Sequence, residues 1–127
     1  MPLAQKPEIA RIRRILVVED SVLVVMMIEN AIVDSGWSVV GPAAQLAEAK
    51  ELAAVESFDA ALLDVNLGGE MSWEVAAILA DRNIPFVFTT GYDAATALPQ
   101  QFADRPVVGK PFAPEQIVAA LGELLGY

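Results

Sequence analysis

The chain contains neither cysteine nor histidine. Disulfides are thereby excluded, as are cysteine and histidine nucleophiles, the usual zinc ligands and any Ser-His-Asp relay. What remains for a metal is oxygen, which suits magnesium or calcium. Basic residues are also scarce: 8 Lys and Arg stand against 17 Asp and Glu, a formal charge of −9. Such a surface repels a phosphate-coated partner, so neither DNA nor RNA is expected to bind. No apolar run approaches the roughly 20 residues of a membrane span. Nor does the N-terminus show a long apolar core followed by a small-residue cleavage site, so no signal peptide is read there. The expectation is a cytoplasmic protein with no membrane partner.

What is present is apolar. Hydrophobic residues make up 55% of 127 positions, enough for one domain with a sizeable core. Residues 1–13 read as a short basic leader and residues 14–127 as the folded domain. Ile15 to Val18 is a β-branched strand ending on Glu19-Asp20. Ser21 is placed to cap a helix that runs to Ser35, with Gly36 as its stop. Trp37 to Val40 reads as a second strand closed by Gly41-Pro42, and Ala43 to Ser57 as a second helix. Ala60 to Leu63 has no polar alternation, the pattern of a strand buried on both faces, and it ends abruptly on Asp64. A helix is expected over Ser72–Arg82 and a strand over Pro85–Thr90. A weak helix, interrupted by Pro99, is expected over Asp93–Asp104. A last strand, Pro106–Gly109, leads to Lys110-Pro111, and the final helix begins at Pro114.

Strands alternating with helices imply a parallel sheet with helices on both faces. In such a sheet all strands end on one edge, which is where ligands bind. Glu19, Asp20, Asp64, Thr90, Gly91 and Lys110 therefore converge. Three carboxylates together repel one another and call for a cation, with Mg²⁺ the natural choice. A lone ammonium and a hydroxyl beside them suit a phosphoryl group. Asp is itself a nucleophile able to form an aspartyl phosphate.

Val17-Val18-Glu19-Asp20, Leu62 to Leu67, Thr90-Gly91 and Lys110-Pro111-Phe112 together resemble the receiver domain of two-component response regulators, over essentially Ile15–Tyr127. The resemblance implies a flavodoxin-like α/β fold with strand order 2-1-3-4-5. It implies that Asp64 accepts a phosphoryl group from a histidine kinase or a phosphotransfer protein. Asp20, Asp64 and the backbone carbonyl of Asn66 would hold Mg²⁺, with Glu19 acting through water. Lys110 would pair with the phosphate, Thr90 would bond to it, and the Lys110–Pro111 bond would be cis. The chain departs from the family pattern at Gly68, where receivers commonly carry Pro, and at Val107, where a switch aromatic is common. Phe88-Thr89-Thr90-Gly91-Tyr92 is similar to a receiver subgroup whose strand ends in Phe-Ala-Thr-Gly and Tyr. Thr89 replaces the Ala there, and Tyr92 is a candidate replacement for the switch aromatic.

On the first helix, Val24, Met27, Ile28 and Ala31 share the face assigned to the core. Val22, Val25, Met26 and Val33 form an apolar stripe on the opposite face, where a surface helix is normally polar. That stripe is read as a partner surface, for the kinase or for a homodimer. The chain stops soon after the last helix, so a stand-alone switch signalling through protein partners is expected. A receiver cut from a longer regulator is the alternative. A phosphatase using the same aspartate chemistry is a second alternative. It commonly needs an acid close to the nucleophile, and Asn66, two positions on, is not one. The protein is therefore read as a switch rather than an enzyme.

Overall fold

The computed structural model describes residues 11–91 and 98–127. A central parallel sheet is built from β1 (Arg14–Val18), β2 (Ser38–Ala43), β3 (Ala60–Asp64), β6 (Phe86–Thr90) and β7 (Val107–Gly109), in the order β2-β1-β3-β6-β7. This is the expected 2-1-3-4-5 arrangement, because β4 (Asn66–Leu67) and β5 (Glu70–Met71) form a separate antiparallel hairpin. The helices are α1 (Val22–Asp34), α2 (Leu46–Val55), α3 (Trp73–Asp81) and α4 (Pro114–Leu125).

The apolar strand runs serve two cores because successive side chains point to opposite faces. Ile15, Val17, Leu62 and Val87 pack with Ile28 and Ile32 of α1 and with Ile117 and Leu121 of α4. Leu16, Leu63, Phe86 and Phe88 pack with Ala49 of α2 and with Val75 and Leu79 of α3. Each fully buried Ile or Leu contributes about 2 kcal/mol, so the sheet interior can sustain a costly group at its edge. Ser21 caps α1, accepting the Val24 N–H at 3.4 Å. Gly36 follows the helix at φ +85°, a left-handed turn that glycine adopts without strain.

Three expectations need correction, and one element was not expected. β2 does not close at Gly41-Pro42 but continues to Ala43. It is an edge strand, where a residue without an N–H is tolerated. Gly41 is at φ +92°, and a Cβ there would stand 2.9 Å from the Ala43 nitrogen. The second helix accordingly starts at Leu46 rather than Ala43 and ends at Val55. The Asn66–Met71 hairpin was not expected at all. The helix expected over Asp93–Asp104 is only a single 3₁₀ turn, Gln100–Phe102, in its described part, and residues 92–97 lie outside the described residues. Pro99 enters that turn in an extended conformation. Phe102 then buries its ring among Trp73, Phe86 and Phe88, so the turn is held by one aromatic anchor rather than by helical periodicity.

Candidate functional site

β3 lies in the middle of the sheet, and its last residue, Asp64, is 4% exposed. The turn after it is tied down tightly. The Ser72 hydroxyl, fully buried at the start of α3, donates to the Asp64 carbonyl at 2.6 Å and to the Val65 carbonyl at 3.2 Å. The Val65 N–H donates to the Thr89 carbonyl at 3.0 Å. The acid thus has a fixed backbone on both sides. The hairpin that follows turns on Gly68 and Gly69, at φ +59° and +99°, as a two-residue loop of the mirror-image type requires. Proline, locked near φ −65°, could not occupy position 68 in this hairpin.

The strand ends bring the expected groups together. One carboxylate oxygen from each of Glu19, Asp20 and Asp64 lies within 4.8 Å of the others. Glu19 is buried at 1% exposure and Asp20 is exposed. The Lys110 ammonium lies between the two buried acids, 3.1 Å from Asp64 Oδ2 and 3.0 Å from Glu19 Oε1. Its own position is set by the Lys110 N–H, which donates to the Thr90 carbonyl at 2.7 Å, and the Lys110–Pro111 bond is cis. The second oxygen of each buried acid takes a main-chain donor. The Asn66 N–H reaches Asp64 Oδ1 at 3.3 Å, and the Ser21 N–H reaches Glu19 Oε2 at 3.0 Å.

This arrangement is electrostatically unsettled. Burial, reinforced by repulsion from Glu19, pushes the Asp64 carboxyl up to about 6 against the pull of Lys110. Burial alone would lower the Lys110 ammonium, but its bonds and attraction to Glu19 and Asp64 outweigh that and hold it above its ordinary value. One ammonium offsets only part of the charge of three carboxylates. The donor set is all oxygen and net negative, and it fits a hard divalent ion.

The remaining candidates fall around this cluster. Thr90 is buried, and its hydroxyl donates to the Gly91 carbonyl at 3.2 Å; Gly91 is exposed. The Asn66 side-chain oxygen accepts the Gly69 N–H at 2.7 Å. Tyr92 lies outside the described residues. On α1, Val22, Met26 and Val33 are exposed as expected, but Val25 is half-buried. Leu23, at 79% exposed, belongs to the apolar surface and was missed. Beside it a cavity of about 410 Å³ is lined by Val24, Met27, Gly91, Lys110, Pro111 and Phe112. A larger groove of about 610 Å³, along Trp37, Gly122 and Tyr127, contains none of the clustered acids.

Residues 15–122 match the family model described as "Response regulator receiver domain". The chain belongs to the response regulator receiver family. Among solved structures it is similar to SdrG from Sphingomonas melonis Fr1, with 43% identity, a TM-score of 0.78, and coverage of 90% of this chain and 97% of that one. It is also similar to the receiver domain of the response regulator PhyR from Erythrobacter litoralis, with 25% identity, a TM-score of 0.78, and 91% and 92% coverage. A receiver protein from Sinorhizobium medicae WSM419, 24% identical with a TM-score of 0.76 over 91% of this chain and 95% of that one, shares the fold. None of the curated proteins compared with the chain matches it significantly. Among the described residues of this receiver, no helix is long and apolar enough to cross a membrane.

Proposed function

We propose that this receiver is a phosphoryl-accepting switch with Asp64 as the acceptor. The observation that carries the reading is Asp64 itself, buried at the end of the central strand, gripped by Lys110 and crowded by Glu19 and Asp20. In the transfer, an Asp64 oxygen bonds to the phosphorus of a phosphohistidine. The phosphorus–nitrogen bond breaks, and its electron pair leaves with the imidazole. Lys110 then shifts its ammonium from the Asp64 carboxylate to a phosphoryl oxygen, and the Thr90 hydroxyl turns from Gly91 to do the same. Asp20, Asp64 and the Asn66 carbonyl would hold Mg²⁺, with Glu19 acting through water, and the ion would supply positive charge to the phosphoryl oxygens. The donor is a histidine kinase or phosphotransfer protein. It meets the apolar surface of Val22, Leu23 and Met26, which adjoins the cavity beside Lys110. Output passes to a protein partner, in the cytoplasm.

The test is intact-mass analysis after incubation with acetyl phosphate and Mg²⁺. Wild type should gain a single phosphoryl group and Asp64→Asn none. Asp20→Asn should label more slowly than Glu19→Gln. Met26→Glu should label normally from acetyl phosphate yet accept poorly from a phosphohistidine protein. An unlabelled wild type, or a labelled Asp64→Asn, would overturn the reading.

A further inference from the structure

One polar side chain at the level of the acids has no assigned task. Thr89 pairs in register with Asp64 on one side and with Val108 on the other. Residues in register on parallel strands project to the same face, and alternation puts Thr89 on the face of Val87, toward α1 and α4. Thr89 is 1% exposed, and its Oγ1 is buried with no hydrogen-bond partner among the described residues. An unpaired buried hydroxyl is costly, and valine has the same shape without it. Packing alone therefore gives no reason for threonine here. Val108 offers no side-chain acceptor. Asp64 does; its Oδ1 takes the Asn66 N–H and its Oδ2 takes Lys110, which leaves acceptor capacity on the carboxylate.

We propose that Thr89 is a positioning residue for Asp64. Its hydroxyl donates to the Asp64 carboxyl group once the Lys110 ammonium has moved to the phosphoryl group. The inference rests on Asp64 being the phosphoryl acceptor. In hydrolysis of the aspartyl phosphate, the oxygen of a water molecule bonds to phosphorus. The bond from phosphorus to the Asp64 oxygen breaks, its electron pair stays on the carboxyl group as a carboxylate, and inorganic phosphate leaves with the water's protons. Negative charge grows on the carboxyl group as that bond opens, and a donor aimed there stabilises it. Thr89 therefore shortens the life of the phosphorylated state.

The experiment labels wild type, Thr89→Val, Thr89→Ala and Thr89→Ser with acetyl phosphate and Mg²⁺. The small donor is then removed, and loss of the phosphoryl group is followed by intact mass. Thr89→Val should lengthen the half-life on the order of five- to ten-fold, the scale of one lost hydrogen bond. Thr89→Ala should follow it even if valine disturbs the packing, and Thr89→Ser should keep the wild-type lifetime. In parallel, Thr89→Val should raise the melting temperature of the unphosphorylated protein. A higher melting temperature with an unchanged lifetime would show a packing role only and overturn the inference, as would a serine variant that behaves like valine. Labelling that fails in wild type, or survives in Asp64→Asn, would overturn the acceptor reading and this inference with it.

Discussion

Asp59 and Asp64 bracket the same buried strand, one just before its first residue and the other at its last, yet their surroundings are opposite. At the N-terminal edge, burial would push the Asp59 carboxyl up. The Arg14 N–H at 2.8 Å and the Arg11 guanidinium at 2.8 Å outweigh it, and the group lies below its ordinary value. At the C-terminal edge, burial and the Glu19 carboxylate win over a single ammonium, and Asp64 rises to about 6. The first acid joins the start of β1 to the start of β3 and stabilises the fold. The second is held in a state that costs stability and that added positive charge would relieve. The difference assigns stability to one edge of the sheet and chemistry to the other.

Removing Lys110 should cause the largest loss of stability. Lys110→Ala leaves Glu19 and Asp64 facing each other without a cation. It should cost about 2 kcal/mol at pH 7.5, less than for a fully buried pair because a carboxyl group can take up a proton. The loss should shrink as pH falls towards 5, as read by chemical denaturation with chelator present. A loss independent of pH would mean that Lys110 does not act on the acids.

Asp64→Asn should do the reverse. A carboxyl group whose folded value is raised contributes stability that is fully present below its unfolded value, near 4, and is lost as pH rises through about 6. The asparagine variant should therefore be more stable than wild type by roughly 1–3 kcal/mol at pH 7.5 without metal. That gain should vanish by about pH 4. If it destabilised the protein at pH 7.5, the contrast between the two edges would be wrong.

Asp59→Asn should show the smallest change and the opposite sign. A carboxyl group with a lowered folded value contributes stability above its unfolded value, and that stability is lost as pH falls through the folded one. The variant should lose about 1 kcal/mol at pH 7.5, the scale of a charged hydrogen bond partly open to water. The deficit should disappear in acid. High salt should weaken its Arg11 partnership more than the buried Lys110 contacts, because Arg11 is exposed and readily screened.

Much of the site was legible because strand ends in a parallel sheet share an edge. Glu19, Asp64 and Lys110 could be grouped from three separate apolar runs without knowing any distance. The hairpin at Asn66–Met71 was not legible, since two-residue strands have no period to detect. Three residues of the α1 stripe are exposed as expected, but Val25 was included and Leu23 left out because a helical wheel finds two apolar sectors without saying how the sheet will be met. Leu23 is exposed and Val25 half-buried only because α1 lies as it does over β1 and α4. Phe102 escaped notice because a single aromatic anchoring a short turn carries no pattern.

The sequence by itself determined the class of fold, the order of its elements and the chemical types gathered at one edge. These follow from local periodicity and from the rule that parallel strands end together. Only the tertiary structure decided that Lys110 bridges Glu19 and Asp64, that Asp64 is pushed up to about 6 while Asp59 is lowered, and that the Thr89 hydroxyl is buried without a partner among the described residues. Desolvation and charge interaction depend on distances between residues far apart in the chain, and those distances exist only once the two faces of the sheet are packed.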